Sequence, residues 1–392
     1  MAQETPERTL GVIAGAGDYP RMVMESARRA GVRVVCIALR GLAEKGLDSL
    51  ADAYAEFRVG ELEKGTRYAK AHGVTELMLC GQVKPSCIYT MWPDAAVRRL
   101  LAGLDRRNAH TMFGALCNYF AEQGITVLPS TTFMEDHLPA AGLLAGPEPS
   151  PQQQAEAADG MRLAREIARL DIGQSIVVQG GRVVCVEAFK GTNECIESSA
   201  AAGGDCPTTL CKVTKPGHDM RFDVPCIGAA TIRRCVAAGV RQVVMEAGRT
   251  ILFDREEVLR LCNESGISLR AVELPQGEPQ PLRRVQDDAE HARLMAREVA
   301  RLGIGRCAVV CDGVVIAVED AEGPEKCIRR AGEYMGRLRL ARMLNWLLRL
   351  FTGAAAAPPA PILLATAGGF SLPPAQLRAA SKAGIRVVRE NP

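Results

Sequence analysis

The chain has 392 residues, of which 47% are hydrophobic, 24% are charged and only 4% are aromatic. Its formal net charge of +3 is close to balance and the sequence has no long block of lysine and arginine, which argues against a nucleic-acid-binding protein. A single hydrophobic core stops growing at roughly 250 residues, so we expect two or three domains.

The first predicted elements form a β-α-β unit of an α/β fold. An apolar strand (Leu10 to Ala14) leads through a glycine-rich turn to a helix (Pro20 to Ala30) and a second apolar strand (Val32 to Ala38). The turn lacks the third glycine of a dinucleotide fingerprint, and Arg40 follows the second strand where an acidic residue would bind a ribose. We therefore expect a mononucleotide or a diphosphate at the start of the helix rather than NAD.

Further strand-helix units predict that residues 1–137 form a Rossmann-like domain with an open, mostly parallel sheet. Predicted strands over Glu76 to Cys80 and Ile125 to Leu128 end in turns that contain glycine or proline. Ligands of such sheets bind at the carboxyl ends of the strands. The residues predicted to bind substrate at this edge are Gly15, Gly17, Asp18, Gly81, Gln82 and Lys84.

A linker rich in alanine, glycine and proline is predicted over residues 138–153, and an α/β domain over residues 154–277. This domain should begin with a helix (Ala155 to Leu170) and a two-stranded hairpin (Ser175 to Gln179 and Val183 to Ala188). Thr192, at the start of the next helix, is a candidate substrate-binding residue.

The segment that begins at Lys212 sets two lysines, an arginine and two aspartates inside an apolar sequence. Lys212, Lys215 and Arg221 are suited to hold phosphate oxygens, because lysine is a point charge and arginine a planar fork. Asp219 and Asp223 offer the hard oxygen ligands that Mg²⁺ prefers. The alternative is a solvated turn in which these charges pair with one another.

Another charged pair follows at the end of the next apolar strand, where Glu246 and Arg249 stand close together. Cations, carboxylates and a positioned water are what the hydrolysis of a diphosphate requires. We expect Asp223 to be the essential carboxylate, with Asp219 and Glu246 as further catalytic candidates. Arg249 joins Lys215 and Arg221 as a candidate for binding the substrate phosphates. Metal ligands are expected from Asp223, Asp219 and Glu187, and spacing alone does not rank the two aspartates.

Four motifs occur in one order: LGVIAGAGDYP from Leu10, GQSIVVQGGRVVCVEAFKGTNE from Gly173, KPGHDMRFDVPCIG from Lys215 and EAGRTILFDREEV from Glu246. In this combination the sequence resembles the LpxI-type UDP-2,3-diacylglucosamine pyrophosphatases of lipid A biosynthesis, over roughly residues 8–275.

The resemblance implies that UDP-2,3-diacylglucosamine is hydrolysed to UMP and 2,3-diacylglucosamine 1-phosphate (lipid X), with Mg²⁺ or, in its place, Mn²⁺. It also implies that the substrate binds between the Rossmann-like domain and the catalytic domain. The chain departs from the family pattern at His218, where Gln is usual, and at Lys190 and Asn193, where the usual run is Glu-Gly-Thr-Asp. Asn193 removes a carboxylate, which bears on metal binding and on substrate choice.

Residues 278–392 repeat the catalytic domain in part. An offset of 132 residues pairs Glu187 with Glu319 (319 − 187), and the motif at Glu246 is echoed from Thr366. The charged run of the catalytic domain has no counterpart in this alignment, and the stretch Tyr334 to Phe351 stands in its place. We interpret the third part as a degenerate, catalytically inactive copy.

The stretch from Tyr334 to Phe351 predicts a basic amphipathic helix. Leucine, methionine and phenylalanine gather on one face, and Arg339, Arg342 and Arg349 on the other. Such a helix can lie at a membrane surface, from which an enzyme would take a substrate with two acyl chains. The alternative is that its apolar face packs on the sheet of its own domain or at a homodimer interface.

The fourteen cysteines are expected to be small buried hydrophobes in a reducing compartment. Cys206 with Cys211, and Cys307 with Cys311, are alternative zinc pairs, but the five histidines do not complete a recognisable ligand set. Without a signal peptide or an apolar run of about 18 residues, the chain is expected in the cytoplasm, or peripherally on the inner membrane.

Two other functions stay open at this point. One is a nucleotide-binding sensor or dehydrogenase built on the glycine-rich turn, and the other is a non-catalytic scaffold of the same fold. Release of UMP from the lipid substrate would separate both from a pyrophosphatase.

Overall fold

The computed structural model describes residues 8–83, 92–104, 109–202, 206–217, 219–222, 224–275, 282, 285, 287–311, 313–333, 362–368 and 370–388. These residues form two compact units, Met1–His137 with Asp219–Val224, and Leu138–His218 with Pro225–Pro392. Three residues of the sequence analysis, Lys84, His218 and Asp223, lie outside the described residues, as does the predicted amphipathic helix. The prediction of a separate third domain is not tested by this division and stays a prediction.

The first unit contains a five-stranded sheet in the order β3-β2-β1-β4-β5, with all neighbours parallel. The α/β fold class and its parallel sheet are thus confirmed. The strands are β1 (Thr9–Ala14), β2 (Arg33–Leu39), β3 (Ala53–Phe57), β4 (Glu76–Cys80) and β5 (Thr126–Val127). The helices are α1 (Tyr19–Arg29), α2 (Leu62–Ala71), α3 (Ala95–Ala102) and α4 (Ala109–Glu122), with short 3₁₀ turns at Asp48–Leu50 and Glu135–His137.

The segment Asp219–Val224 belongs to the first unit although the residues on both sides of it belong to the second. Phe222 packs against the hydrophobic core of the first unit, and its ring stacks on Phe113 with 5.4 Å between the ring centroids. Buried aromatic contacts of this kind contribute both area and a ring-ring attraction. The apolar residue inside the charged run therefore fixes the run to the first sheet.

The second unit contains a six-stranded sheet in the order β6-β13-β11-β9-β7-β8. Strands β9, β11 and β13 are mutually parallel, whereas β6, β7 and β8 pair antiparallel with their neighbours. Its strands are β6 (Gly142–Ala145), β7 (Ser175–Gln179), β8 (Arg182–Val186), β9 (Thr208–Lys212), β11 (Val240–Glu246) and β13 (Ser268–Val272), beside a small parallel ladder of β10 (Cys226–Ile227) and β12 (Ile251–Leu252). Its helices are α5 (Pro151–Arg169), α6 (Thr192–Ser199), α7 (Ala229–Ala238) and α8 (Arg255–Ser265), with a 3₁₀ turn at Ala200–Ala202.

The region predicted as a linker, residues 138–153, contains regular structure. Strand β6 pairs with β13, and α5 begins at Pro151 because Ser150 and Gln153 form a reciprocal capping box. Pro151 suits the first helical position, where its missing N–H would have had no partner.

The third part forms a four-stranded sheet in the order β15-β14-β16-β17. It consists of α9 (Asp288–Arg301), β14 (Cys307–Cys311), β15 (Val314–Val318), β16 (Ile362–Thr366), α10 (Pro374–Lys382) and β17 (Ile385–Val388), with helical residues also at 324–333. Strands β14 and β15 start and end 132 residues after β7 and β8. The hairpin predicted from the repeated sequence is present in both places.

A pair of glycines shows how closely the two hairpins agree. A Cβ at Gly173 would lie 2.1 Å from the carbonyl oxygen of Glu187, and a Cβ at Gly305 would lie 2.4 Å from that of Glu319. No side chain fits at these distances, so glycine is required at both positions.

Strand β16 lies at a different place in its sheet from the one that the sequence alignment predicts. Thr366 of β16 pairs with Cys307 of β14, just as Lys212 of β9 pairs with Ser175 of β7. Strand β16 therefore occupies the place of β9, although its sequence motif aligns with the end of β11. Within the described residues, Thr366 stands where the middle part of the chain has Lys212.

None of the described helices combines the length and the apolar character that crossing a bilayer requires.

Candidate functional site

A buried polar cluster lies in the second unit, formed by Ser175, Glu187, Thr192 and Lys212; we call it the Lys212 cluster. The Lys212 ammonium donates to Thr192 Oγ1 at 2.8 Å, and Thr192 Oγ1 donates to Glu187 Oε2 at 3.0 Å. The hydroxyl of Ser175 lies 3.2 Å from that of Thr192. Lys212 is only 5% exposed and Glu187 8%, so both charges are largely removed from water.

The sheet places these four residues at one edge. Lys212 ends β9 and is the register partner of Ser175, the first residue of β7. Glu187 follows β8, and its amide donates to the Ser175 carbonyl at 2.9 Å. Thr192 opens α6 after Gly191, whose φ of 83° is a conformation that favours glycine. The carboxyl ends of parallel strands are where α/β sheets bind their ligands.

A second carboxylate lies on the neighbouring strand at the same edge. Glu246 ends β11 directly after Met245, the register partner of Lys212. Its Oε2 accepts a 2.8 Å hydrogen bond from the Thr214 amide, and its Oε1 lies 3.7 Å from Arg249 Nη1. The structure thus places Glu246, with Arg249 beside it, at the same sheet edge as the Lys212 cluster, which contains the predicted Glu187 and Thr192.

The described residues of the third part lack most of this cluster. At the matching positions stand Cys307 for Ser175, Glu319 for Glu187, Pro324 for Thr192 and Thr366 for Lys212. Only the glutamate remains, and its carboxylate accepts a 2.7 Å hydrogen bond from the Arg306 amide. Because packing is kept while the lysine and both hydroxyls are gone, the cluster is not needed to form this type of sheet.

The other predicted charges of the run that the structure describes are paired. Lys215 Nζ lies 3.1 Å from Asp171 Oδ1 in the second unit. In the first unit, Arg221 holds Asp219 through two side-chain hydrogen bonds of 2.8 and 2.5 Å. The hydrogen bonds that Arg221 donates to the Asp219 carboxylate raise the pKa of Arg221 above its usual value. The alternative of charges that pair with one another is therefore observed for Asp219 and Arg221.

The glycine-rich turn of the first unit meets the turn after β4. The Gly15 amide donates to the Cys80 carbonyl at 2.7 Å, and Ala16 and Gln82 exchange two backbone hydrogen bonds. A Cβ at Gly15 would lie 2.8 Å from the Gln82 carbonyl oxygen, and one at Gly81 would lie 2.8 Å from that of Ala16. Both glycines are thus needed for the two turns to cross.

These turns lie where the strand order reverses, between β1 and β4, which is the position at which such sheets bind nucleotides. Gly17 has a φ of 90° and Asp18 precedes the first residue of α1. The predicted residues Gly15, Gly17, Asp18, Gly81 and Gln82 are therefore brought together at the amino end of a helix, where backbone N–H groups attract anions.

Sequence reasoning missed Ser130, which connects this helix end to the segment Asp219–Val224. Tyr19, the first residue of α1, donates its hydroxyl hydrogen to the Ser130 carbonyl. Ser130 in turn donates its amide to the Met220 carbonyl at 2.6 Å and its hydroxyl to the Arg221 carbonyl at 2.9 Å. Its place just after a strand at the ligand edge was the signal available in the sequence.

Metal ligands are only partly accounted for. Among the described residues, no group of three or more His, Cys, Asp and Glu side chains is arranged to hold a metal ion. Glu187 lies in the second unit and Asp219 in the first, while Asp223 falls outside the described residues. The carboxylates have the donor chemistry that Mg²⁺ prefers.

The cysteines of the described residues are free thiols, and most are buried. Burial raises the pKa of Cys36, Cys235 and Cys262 to about 12. A thiol with so high a pKa is neither a nucleophile nor a ready metal ligand at neutral pH, which agrees with structural cysteines.

Comparisons with known proteins identify relatives for most of the chain. Residues 9–137 match the LpxI N-terminal domain, and residues 140–270 and 275–345 match the LpxI C-terminal domain. A UDP-2,3-diacylglucosamine pyrophosphatase LpxI from Caulobacter vibrioides is 31% identical over 286 residues, which cover 69% of this chain and 100% of that protein.

Solved structures show only distant likeness. The biotin carboxylase domain of a thermophilic 2-oxoglutarate carboxylase is 12% identical, with a TM-score of 0.21, over 50% of this chain and 33% of its own. The structure of gox2253 is 11% identical, with a TM-score of 0.24, over 68% of this chain and 90% of its own. Scores this low carry no inference.

Proposed function

We infer that this chain, which belongs to the LpxI family, is a UDP-2,3-diacylglucosamine pyrophosphatase of lipid A biosynthesis. The structural observation that supports this function best is the buried lysine at the ligand edge of the LpxI C-terminal domain. A cation 5% exposed, with hydroxyl and carboxylate neighbours, is suited to the charge of a diphosphate.

The reaction we propose is the hydrolysis of one bond of the diphosphate. Water adds to a phosphorus atom and the bridging P–O bond breaks, which yields UMP and 2,3-diacylglucosamine 1-phosphate. Negative charge increases on the phosphate oxygens as this bond breaks, so groups that stabilise charge contribute most of the rate.

Each residue of the Lys212 cluster has a role in this proposal. Lys212 binds a phosphate oxygen, Thr192 positions the ammonium, and Glu187 orients the Thr192 hydroxyl by accepting its hydrogen. Glu246 and Arg249 complete the edge as a carboxylate and a second cation. A buried cation acts more strongly on a phosphate than an exposed one, because less water screens it.

The first unit supplies a second anion site in the same proposal. The crossed turns at Gly15 and Gly81, with Gly17, Asp18 and Gln82, offer backbone N–H groups at the amino end of α1 for substrate phosphate or nucleotide. This assignment agrees with the absence of a third glycine, because a mononucleotide needs less of the fingerprint than NAD does.

Mg²⁺ is the metal we propose, and the sequence-based expectation that the carboxylates Asp223, Asp219 and Glu187 are its ligands stays a prediction. When bound, it would neutralise phosphate oxygens and lower the pKa of a bound water. The carboxylate oxygens of these residues are the hard donors that this ion requires.

A matched pair of substitutions tests the site. Glu187→Gln should lower UMP release by about 10²–10³-fold, because a neutral amide replaces the carboxylate that accepts from Thr192 and so removes the negative charge of the Lys212 cluster. Glu319→Gln, 132 residues later and equally buried, should leave UMP release at the parental rate. Lys212→Met should lower the rate of UMP release by as much as Glu187→Gln does.

Two results would overturn the assignment. Equal activity of the parent and a folded Lys212→Met protein would remove the cluster from the chemistry. Absence of UMP release from the folded parent, with Mg²⁺ present, would favour the non-catalytic scaffold of the same fold.

The acyl chains of the substrate suggest where the enzyme works. We propose that the chain acts at a membrane surface, and that the basic stretch with Arg339, Arg342 and Arg349 contacts anionic lipid. Replacing these three arginines by glutamate should lower co-sedimentation with anionic vesicles and slow turnover of vesicle-embedded substrate, but leave turnover of detergent-dispersed substrate unchanged. Equal vesicle binding by parent and variant would contradict the proposal.

A further inference from the structure

The helices that precede the two hairpins, α5 and α9, meet through a reciprocal pair of ion pairs. Arg169 of α5 lies 3.0 Å from Glu298 of α9, and Arg301 of α9 lies 3.1 Å from Glu166 of α5. The offset of 132 that relates the hairpins also relates Arg169 to Arg301 and Glu166 to Glu298. Each copy offers the same arginine and the same glutamate to the other, which is the contact pattern of an isologous two-fold interface.

Apolar residues from both copies fill one hydrophobic cluster in the second unit. The cluster includes matching positions on both sides, for example Ala164 with Ala296, Ile167 with Val299, and Val186 with Val318. The contact between the copies thus repeats the same residue types in each half. The arginine and glutamate of the first ion pair are 16% and 19% exposed, so water screens this pair only in part.

An ion pair of the middle part also reaches the third part of the chain. Lys190 lies 2.5 Å from Glu194 and 2.9 Å from Glu333. Desolvation of the ammonium lowers the pKa of Lys190, but the hydrogen bonds that it donates to both glutamates outweigh this effect, so the pKa is raised.

We propose that the middle part of the chain carries a dimerisation surface centred on α5, and that α9 with strands β14, β15 and β16 occupies this surface as a fused second copy. The partner that fits the surface is another LpxI C-terminal domain, because Arg169 of one copy then faces Glu166 of the other. The relative from Caulobacter vibrioides is matched along its whole length by 69% of this chain, which leaves it no residues for a third part.

The proposal predicts what happens when the fused copy is removed. A chain that ends at Gly277 keeps the first two predicted domains, lacks the third part and exposes the apolar surface of α5. We expect this chain to release UMP and to sediment at twice its own mass, while the full chain does not self-associate through α5.

Charge substitutions identify the surface. In the chain that ends at Gly277, Arg169→Glu should return the particle to the mass of a single chain, because two glutamates then face each other at both symmetric contacts. Adding Glu166→Arg should restore the doubled mass, since the charges are exchanged and again opposite. A matched control, Arg162→Glu, changes an exposed arginine of the same helix whose ion pair in the described part of the chain is with Asp159 of α5. It should leave the mass doubled.

Charge reversal in the full chain is an independent test of the surface. Glu298→Arg together with Arg301→Glu places like charges against Arg169 and Glu166. The fused copy should then dissociate from α5, a second chain should bind there, and the mass of the particle should double. Adding Arg169→Glu and Glu166→Arg should restore the original mass.

Two outcomes would overturn the proposal. One is an active chain ending at Gly277 that stays at the mass of a single chain, or whose doubled mass Arg169→Glu does not change. If the shortened chain does not fold, an unchanged mass and melting temperature of the charge-reversed full chain would overturn the proposal in the same way.

Discussion

Substitution of Thr192 by valine should separate the Lys212 cluster from ordinary packing. Valine keeps the shape of threonine and removes only the hydroxyl that accepts from the Lys212 ammonium at 2.8 Å and donates to the Glu187 carboxylate at 3.0 Å. Both charged groups are less than one-tenth exposed, so water replaces the lost partner poorly.

The expected loss of stability follows from these two contacts. A hydrogen bond to a charged group contributes about 1.5–3 kcal/mol, so the free energy of unfolding should fall by roughly 3–6 kcal/mol. For a domain of 150–250 residues, a change of 1 kcal/mol shifts the Tm by about 2–4 °C, and the expected fall is therefore on the order of 10 °C or more.

The control is Thr66→Val in the first unit. Thr66 is buried, whereas Thr192 is half-buried, and both lie on helices; among the described residues, the hydrogen bond of the Thr66 hydroxyl goes to the neutral Leu62 carbonyl, at 2.8 Å. Thr66→Val should lower the free energy of unfolding by about 0.5–1.5 kcal/mol. Urea unfolding of both variants, with UMP release measured beside it, gives the comparison. If Thr192→Val costs no more than Thr66→Val, the cluster is solvated and our account of the buried lysine is wrong.

Three further predictions concern other parts of the chain. Gly81→Ala should lower the free energy of unfolding by about 2–5 kcal/mol, because Gly81 has a φ of +84° and its Cβ would lie 2.8 Å from a carbonyl oxygen. Gly124→Ala, at a φ of +74° with open space around it, should lower it by only about 1–2 kcal/mol. Equal losses in thermal melts would contradict the crossing of the turns. Arg330→Met should cost about 3–5 kcal/mol at pH 7, because it leaves the fully buried Asp320 carboxylate without its cation at 2.8 Å. Burial raises the pKa of Asp320, and a carboxyl with a raised folded-state pKa contributes stability that is greatest below pH 3.8 and falls as the pH rises. The loss of unfolding free energy caused by Arg330→Met should therefore be smaller at pH 4 than at pH 7, as measured by urea titration. Equal losses at the two pH values would be inconsistent with a buried charge. Chelation by EDTA should abolish UMP release, and added Mg²⁺ should restore it. Asp223→Asn should abolish UMP release even with Mg²⁺ present, while the circular dichroism spectrum stays unchanged. Turnover near the parental rate in EDTA would exclude a metal-dependent reaction.

Local sequence patterns predicted the elements whose determinants are local. Strands β4 and β7 have the predicted bounds, Glu76–Cys80 and Ser175–Gln179, because each is an apolar run that ends at a turn. Strand β6 was hidden in the predicted linker, since Gly142–Ala145 is a strand only through its pairing with β13. A capping box at Ser150 was readable in the sequence and moves the start of α5 into the same region.

The candidate site was predicted by residue type and corrected by tertiary structure. Glu187, Thr192 and Glu246 come together as expected at the edge of the sheet, but the buried cation among them is Lys212, while Lys215 pairs with Asp171. No pattern in the charged run predicts that Asp219 and Arg221 belong to the first unit. That information lies in the contact between the rings of Phe222 and Phe113, which no periodicity in either segment reports.

The membership of Asp219–Val224 in the first unit sets an order of events during synthesis. The ribosome finishes His137 long before it supplies Phe222, so the nascent first unit must wait for 87 more residues (224 − 137) before its last piece exists. At about 5–20 residues per second, this delay is on the order of 4–17 s. During that time Phe113 and Ser130 have no native partner from this segment, and the intervening residues of the second unit emerge first. A chain cut at the end of the apparent amino-terminal domain would remain in that unfinished state, which makes residues 1–137 a poor fragment for expression and residue 224 the earliest natural stopping point.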